Sequence, residues 1–248
     1  MPTDYRIYEM SAAERLLYTS VAALAIFAVA FVFYRSIPIS ALLVPLALLY
    51  PRLKTADLAE KRRRELNIQF KDMLYSLSSS ISAGRSVEAS FRDVLRDLSV
   101  MYPDLRSLII VEVGFMIRRL EMNETIETIL SDFAGRAGLE DVDNFVDVFI
   151  TCKRTGGNII EVIRNSSSII NDKIEVRQEI DTLLAERKLE QKVLNLVPVF
   201  MIVLLSVSAA DYIEPVFTTS AGRLVMTGAI LLLAAAWFIS KKIADIRI

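Results

Sequence analysis

Few side chains in this chain could carry chemistry. Cys152 could supply a thiolate, the run Thr155-Gly156-Gly157-Asn158 could form a glycine loop around an anion, and Arg62-Arg63-Arg64 could meet lipid phosphates or an acidic partner. The surrounding residues narrow each reading. The 248 residues include no histidine and one cysteine, so this chain alone builds neither a histidine-centred triad nor a histidine-containing metal site, and it closes no intrachain disulfide. Cys152 continues the spacing of Val142, Phe145, Val146 and Phe149, which is one face of a helix and makes it a packed small side chain rather than a nucleophile. The glycine pair lies between two helical patterns rather than behind a strand, and it lacks the Lys-Ser/Thr pair of a phosphate-binding loop. Gly156 and Gly157 therefore read as a tight turn with positive φ, and Asn158 as the N-cap of the next helix. The chain is expected to be no enzyme and to hold no cofactor or metal, and no nucleic-acid module is suggested.

The elements that position these residues divide the chain in three. Leu16 to Tyr34 carries no charge over 19 residues, close to the roughly 20 apolar residues that cross a bilayer. Ser36 to Pro51, Val193 to Ala210 and Leu224 to Ser240 are also free of charge. The second stretch, with Pro38, Pro45 and Pro51, is the least regular helix candidate. The expected layout is an N-terminal transmembrane helix pair over 1–51, a helical domain over 52–192, and a C-terminal pair with a short basic tail over 193–248. Mean hydropathy is +0.41 with 24% charged residues, so the charge is concentrated between the spans. The net charge of -1 says little about partners.

Orientation follows from the Lys/Arg bias of short flanks. Arg52, Lys54, Lys61, Arg62, Arg63 and Arg64 follow the second span, and Lys241, Lys242 and Arg247 follow the last. Both regions belong in the cytoplasm, which places the N and C termini inside and makes a cell-membrane, multi-pass protein. The flank of the first stretch holds Asp4, Glu9 and Glu14, and its apolar run exceeds that of a signal peptide, so it reads as a span. The spans contain no ionisable residue, which argues against an ion or solute pathway. Asn195, Ser206, Ser208 and Thr227 read as helix-packing residues. Asp211 to Arg223 is expected to be the outer turn between the last two spans.

The middle reads as a succession of capped helices. Phe70, Met73, Leu74, Leu77 and Ile81 form a core stripe that ends at Gly84. Ser86 caps the next helix, whose stripe is Val87, Phe91, Val94 and Leu98. A third helix is expected over about Leu105 to Leu120. A fourth is expected to be capped by Asn123 and to carry Ile126, Ile129 and Phe133, with Gly135 to Gly138 separating a fifth. A long helix then runs from Asn158 through Lys192 into the span at Val193. The segment Gly84 to Phe91 aligns without gaps on Gly156 to Ile163, with glycine, cap and apolar anchors at the same offsets, so both mark the same kind of helix-turn-helix corner. Arg62, Arg63 and Arg64 fit the positive-inside rule and anionic lipids, with contact to a protein partner as the alternative.

Three motifs in succession carry a resemblance: Ala83-Gly84-Arg85-Ser86-Val87-Glu88-Ala89; Thr155-Gly156-Gly157-Asn158-Ile159-Ile160-Glu161-Val162-Ile163; and Pro198 with Tyr212-Ile213-Glu214-Pro215-Val216-Phe217 and Gly222-Arg223-Leu224. Together they resemble the type II secretion system F domain family and, more narrowly, the TadB-like platform proteins of the tight-adherence (Tad/Flp) pilus system, over roughly residues 66 to 248. The resemblance implies an all-α integral membrane protein with about four transmembrane helices and a cytoplasmic helical-bundle F domain. It implies a non-enzymatic inner-membrane platform for pilus assembly or secretion, oligomeric with itself or with others. The partners it implies are a hexameric secretion ATPase, a second F-domain platform protein and pilin subunits. A TadC-like companion and a general type II secretion F protein lie close within the same class, and a transporter subunit is the rival from another class. Leu120-Glu121-Met122-Asn123 departs from the family pattern, where another glycine-led turn is expected.

Overall fold

The structure is a computed structural model and describes residues 3–104 and 106–244. Its elements are helical, with no strand among the described residues: α1 Ala12–Tyr34, α2 Ile37–Leu43, a 3-10 helix Val44–Leu49, α3 Tyr50–Ser82, α4 Val87–Met101, α5 Leu108–Glu121, α6 Ile126–Ala137, α7 Glu140–Thr155, α8 Ile159–Ser208, α9 Ala210–Thr218 and α10 Ser220–Ala244. Two compact units emerge. One comprises residues up to Glu9 with Thr55–Val176, and the other comprises Met10–Lys54 with the chain from Arg177 onward.

Four helical stretches are long and apolar enough to cross a membrane, which marks a multi-pass membrane protein. They are Ala12–Tyr34, Ile37–Ser82, Ile159–Ser208 and Ser220–Ser240. The first starts behind Ser11, whose N–H donates to Glu14 Oε2 at 3.0 Å, and stops at Arg35, which takes a left-handed φ of 45°. The second is irregular, as its prolines predict. Pro38 and Pro45 each occupy the first turn of a short helix, where a missing N–H costs nothing. Restarting the helix at Pro45 produces the 3-10 segment. In this unit Phe33, Ile213, Phe217 and Met226 form a small cluster. Arg35 stacks on Phe217 with 5.5 Å to the ring centroid, and Tyr34 Oη shares a hydrogen bond with Thr227 Oγ1 at 2.8 Å. The expected outer turn from Asp211 to Arg223 is largely helical, since it contains α9 and the start of α10.

The helical unit is built on the stripes read from the sequence. Phe70, Met73, Leu74 and Leu77 of α3 and Phe91, Val94 and Leu98 of α4 are buried, with Ile81 and Val87 half-buried beside them. Phe70 is the hub: its ring centroid lies 5.9 Å from that of Phe133 and 5.6 Å from that of Phe145, the latter edge-on. Burying each such side chain contributes about 1.5–3 kcal/mol. Cys152 is buried on the face that α7 shares with Val142, Phe145, Val146 and Phe149, as the spacing predicts.

Local boundaries differ from expectation for identifiable reasons. The third helix starts at Leu108, because Asp104 holds a turn in which its Oδ1 accepts from Arg106 N–H at 2.9 Å and its carbonyl accepts from Ser107; Leu105 lies outside the described residues. The buried N–H of Ile109 in the first turn is satisfied by Gln69 Oε1 of α3 at 3.0 Å. Asn123 is not the N-cap of α6. It takes φ 62° after α5, and Thr125 caps α6 by accepting from Thr128 N–H. The missing glycine-led turn is therefore made by asparagine, which tolerates left-handed backbone better than most residues. Gly135 lies inside α6, and Gly138 alone, at φ 60°, ends that helix.

At the two corners the sequence echo becomes a geometric one. Gly84 and Gly156 take φ 87° and 73°. Ser86 Oγ accepts from Ala89 N–H at 3.2 Å and Asn158 Oδ1 from Glu161 N–H at 3.3 Å, while Phe91 and Ile163 are both fully buried. The adjacent glycines differ in purpose. Gly157 has no positive φ, but a Cβ there would lie 2.9 Å from Cys152 Sγ. Gly157→Ala is expected to lower stability by about 1–3 kcal/mol through overpacking, and adding Cys152→Ala should restore much of the loss. Thermal unfolding of the two variants checks this.

Candidate functional site

The most tightly engineered polar site of the helical unit is one that sequence reasoning missed. It begins with Glu112, the lone acid in the apolar run Leu108-Ile109-Ile110-Val111-Glu112-Val113, which the register of α5 carries to the buried face beside Ile109, Val113 and Met116. Its residue exposure is 1%, so an unpaired carboxylate there would be very costly. Arg136, in the last turn of α6, answers it with two parallel bonds, Nη1 to Oε1 and Nη2 to Oε2, both 2.8 Å. This bidentate geometry is the strongest arrangement for such a pair. The third partner comes from the N-terminus: Tyr5 Oη donates to Glu112 Oε1 at 2.9 Å.

Tyr5 is buried at 1% exposure within the core of the unit, and the segment around it is held by backbone as well. Tyr5 N–H donates to the Arg136 carbonyl at 3.0 Å, and Arg136 Nη1 donates to the Thr3 carbonyl at 3.1 Å. Arg6 lies over Gly138, close enough that a Cβ there would meet Arg6 Cγ at 2.8 Å. Residues 3–6 therefore form a strap on the helical unit. The charge network continues outward. Arg136 Nε and Arg119 Nη1 share Asp132 Oδ2 at 3.0 and 2.9 Å, and Arg119 also holds Glu124. Arg118, Arg119 and Arg136 all lie over the Phe115 ring, at 5.6 to 6.0 Å from its centroid.

Burial pushes the Tyr5 phenol well above its ordinary value, and the negative charge and hydrogen bond of Glu112 add to this against the opposing Arg62 and Arg136. A phenol whose folded pKa is raised stabilises fully below the unfolded value near 10 and loses that contribution as pH rises past it. Stability is therefore expected to fall above about pH 10, and Tyr5→Phe should flatten part of that fall. Alkaline titration followed by tyrosinate absorbance checks it, because Tyr5 should ionise only as the protein unfolds.

The three arginines singled out from the sequence go to different partners. Arg62 lies over the Tyr5 ring, 5.0 Å from its centroid. Arg63 is half-buried, with Nη1 donating to the Gly138 carbonyl at 3.4 Å and a buried Nε without a partner. Arg64 is exposed and pairs with Glu60 one turn earlier at 2.6 Å. The corner residues Gly84, Ser86, Gly156, Gly157 and Asn158 take no part in the strap site. Their corners sit at a common end of the unit, where Lys153 Nζ lies 3.9 Å from Glu88 and 3.1 Å from Glu127. No group of three or more metal-ligating side chains occurs among the described residues. Glu112 is matched by Arg136 and Tyr5, so the site anchors the N-terminal segment on the helical unit. No protein-family profile, curated protein or solved structure matches this chain.

Proposed function

We propose that this chain is a non-enzymatic platform protein of a Tad/Flp-type pilus or secretion machine. In this reading the spans anchor it in the inner membrane and the helical unit faces the cytoplasm, where a hexameric secretion ATPase docks. A second F-domain protein and pilin subunits meet the membrane part. The reading rests on the resemblance of the corner and C-terminal motifs. The observation that carries its mechanism is α8, one helix of 50 residues that contains both the Asn158-capped corner segment and the third apolar span. In this reading, motor-driven movement at the N-terminal end of α8 is passed toward the span, with Pro198 able to kink the helix.

The strap supports the topology. Residues up to Glu9 belong to the same compact unit as Thr55–Val176, which supports a reading in which the chain between them crosses the membrane as a helix pair. In a Cys152→Ser background, a cysteine at Asp104 is expected to resist an impermeant thiol reagent applied to intact cells. One at Thr219, between α9 and α10, should react. Labelling of the Asp104 position from outside would reverse the topology. The functional reading is tested by affinity purification from detergent-solubilised membranes with the co-purifying proteins identified by mass spectrometry. A secretion ATPase and a second F-domain protein are expected, and a solute-transport system in their place would refute it.

A further inference from the structure

We propose that a serine-lined groove between α3 and α8 of the helical unit binds a phosphate-bearing small molecule of nucleotide size. The groove has a volume of about 660 Å³, within the range of roughly 300–1,000 Å³ usual for ligand clefts. Tyr75, Ser78, Ser79 and Ser82 line it from α3, and Arg164 and Ser168 line it from α8. Each set follows helical spacing, so two polar stripes face one cavity.

The hydroxyls distinguish this groove from an ordinary helix contact. A helical serine usually satisfies itself by donating to the carbonyl one turn earlier, as Ser90 and Ser99 do here at 2.8 and 2.7 Å. Ser78 does not. It is 7% exposed, makes no side-chain hydrogen bond among the described residues, and lines the groove. The exposed Ser79, Ser82 and Ser168 likewise make no side-chain hydrogen bond among the described residues, and the exposed Arg164 guanidinium has no acidic partner among them.

The charge balance decides which ligand fits. The one carboxylate lining the groove, Asp72, is already committed, to Lys71 Nζ at 3.2 Å and to the Tyr102 hydroxyl at 2.5 Å. Lys71 and Asp72 therefore cancel, Asn171 is occupied by Lys71 and Glu175, and Arg164 supplies the net charge. What remains is one guanidinium and several hydroxyls free to donate. Such a site selects a ligand rich in acceptor oxygens, and a phosphate monoester or diphosphate matches it. The cavity exceeds what a bare phosphate fills, and the Tyr75 ring, 72% exposed, offers an aromatic face for the rest of the molecule.

The test uses the full-length protein in phosphatidylcholine nanodiscs, titrated calorimetrically with ATP and with inorganic pyrophosphate. Saturable binding of both is expected, with ATP the tighter. Arg164→Glu should weaken each by at least about tenfold and Ser78→Ala by a smaller factor, with unchanged melting temperatures confirming that the fold is intact. A phosphate carried on a lipid is distinguished by adding anionic phospholipid to the nanodiscs. If that lipid abolishes ATP binding in the parent but leaves the weakened binding of Arg164→Glu unchanged, the groove's ligand is a headgroup phosphate. Absence of binding by both probes, or binding that Arg164→Glu leaves unaltered, overturns the proposal.

Discussion

Arg136→Met is expected to destabilise the helical unit by about 3–5 kcal/mol, the cost of leaving a buried charge without its counter-ion. Glu112 would keep its place between Ile109 and Met116, with the Tyr5 hydroxyl as its remaining partner. Replacing both partners, Glu112→Gln with Arg136→Met, should recover a substantial part, because what is expensive is the orphaned charge rather than the missing pair. Denaturant unfolding of the single and double variants measures this. A single variant as stable as the parent would show that the pair is not buried as described.

The second large effect concerns the strap. Tyr5→Ala removes a fully buried aromatic ring and is expected to cost about 3–5 kcal/mol, as for other buried aromatics cut to alanine. Tyr5→Phe keeps the ring and loses only the hydroxyl bond to a charged acceptor, about 1.5–3 kcal/mol. The comparison separates packing from hydrogen bonding. The two substitutions should also expose the N-terminal segment to different degrees: a protease cleaving after Arg6 should act quickly on Tyr5→Ala, slowly on Tyr5→Phe and hardly at all on the parent. Equal cleavage of all three would mean that the strap does not hold.

Most of the helical architecture was legible, because it depends on local rules. Stripes at i, i+3 and i+4 gave the buried faces of α3, α4 and α7, and Ser86 and Asn158 announced their helix starts through short side chains that cap nearby N–H groups. Where a local rule had two solutions the reading erred. Asn123 and Thr125 are both good caps, and only the left-handed backbone of Asn123 decides between them. The strap was illegible for a different reason. The residues around Tyr5 follow no period, and their partners lie more than a hundred positions away. One clue was present: an acid inside the apolar stripe of α5 requires a cation from elsewhere. In the sequence Arg136 is only a basic residue near a helix end, a place where the helix dipole alone accounts for a cation.

The long separation between Tyr5 and Glu112 also orders events during synthesis. Tyr5 is translated before its partners, and its acceptor on α5 and the clamp on α6 are made more than a hundred residues later. The first two apolar stretches are translated in that interval and pass to the insertion machinery while the N-terminal segment still has nothing to bind. The strap can therefore close only once α6 has been made. Closure requires the N-terminal segment and the helical unit to lie on one side of the membrane, so insertion and folding are coupled.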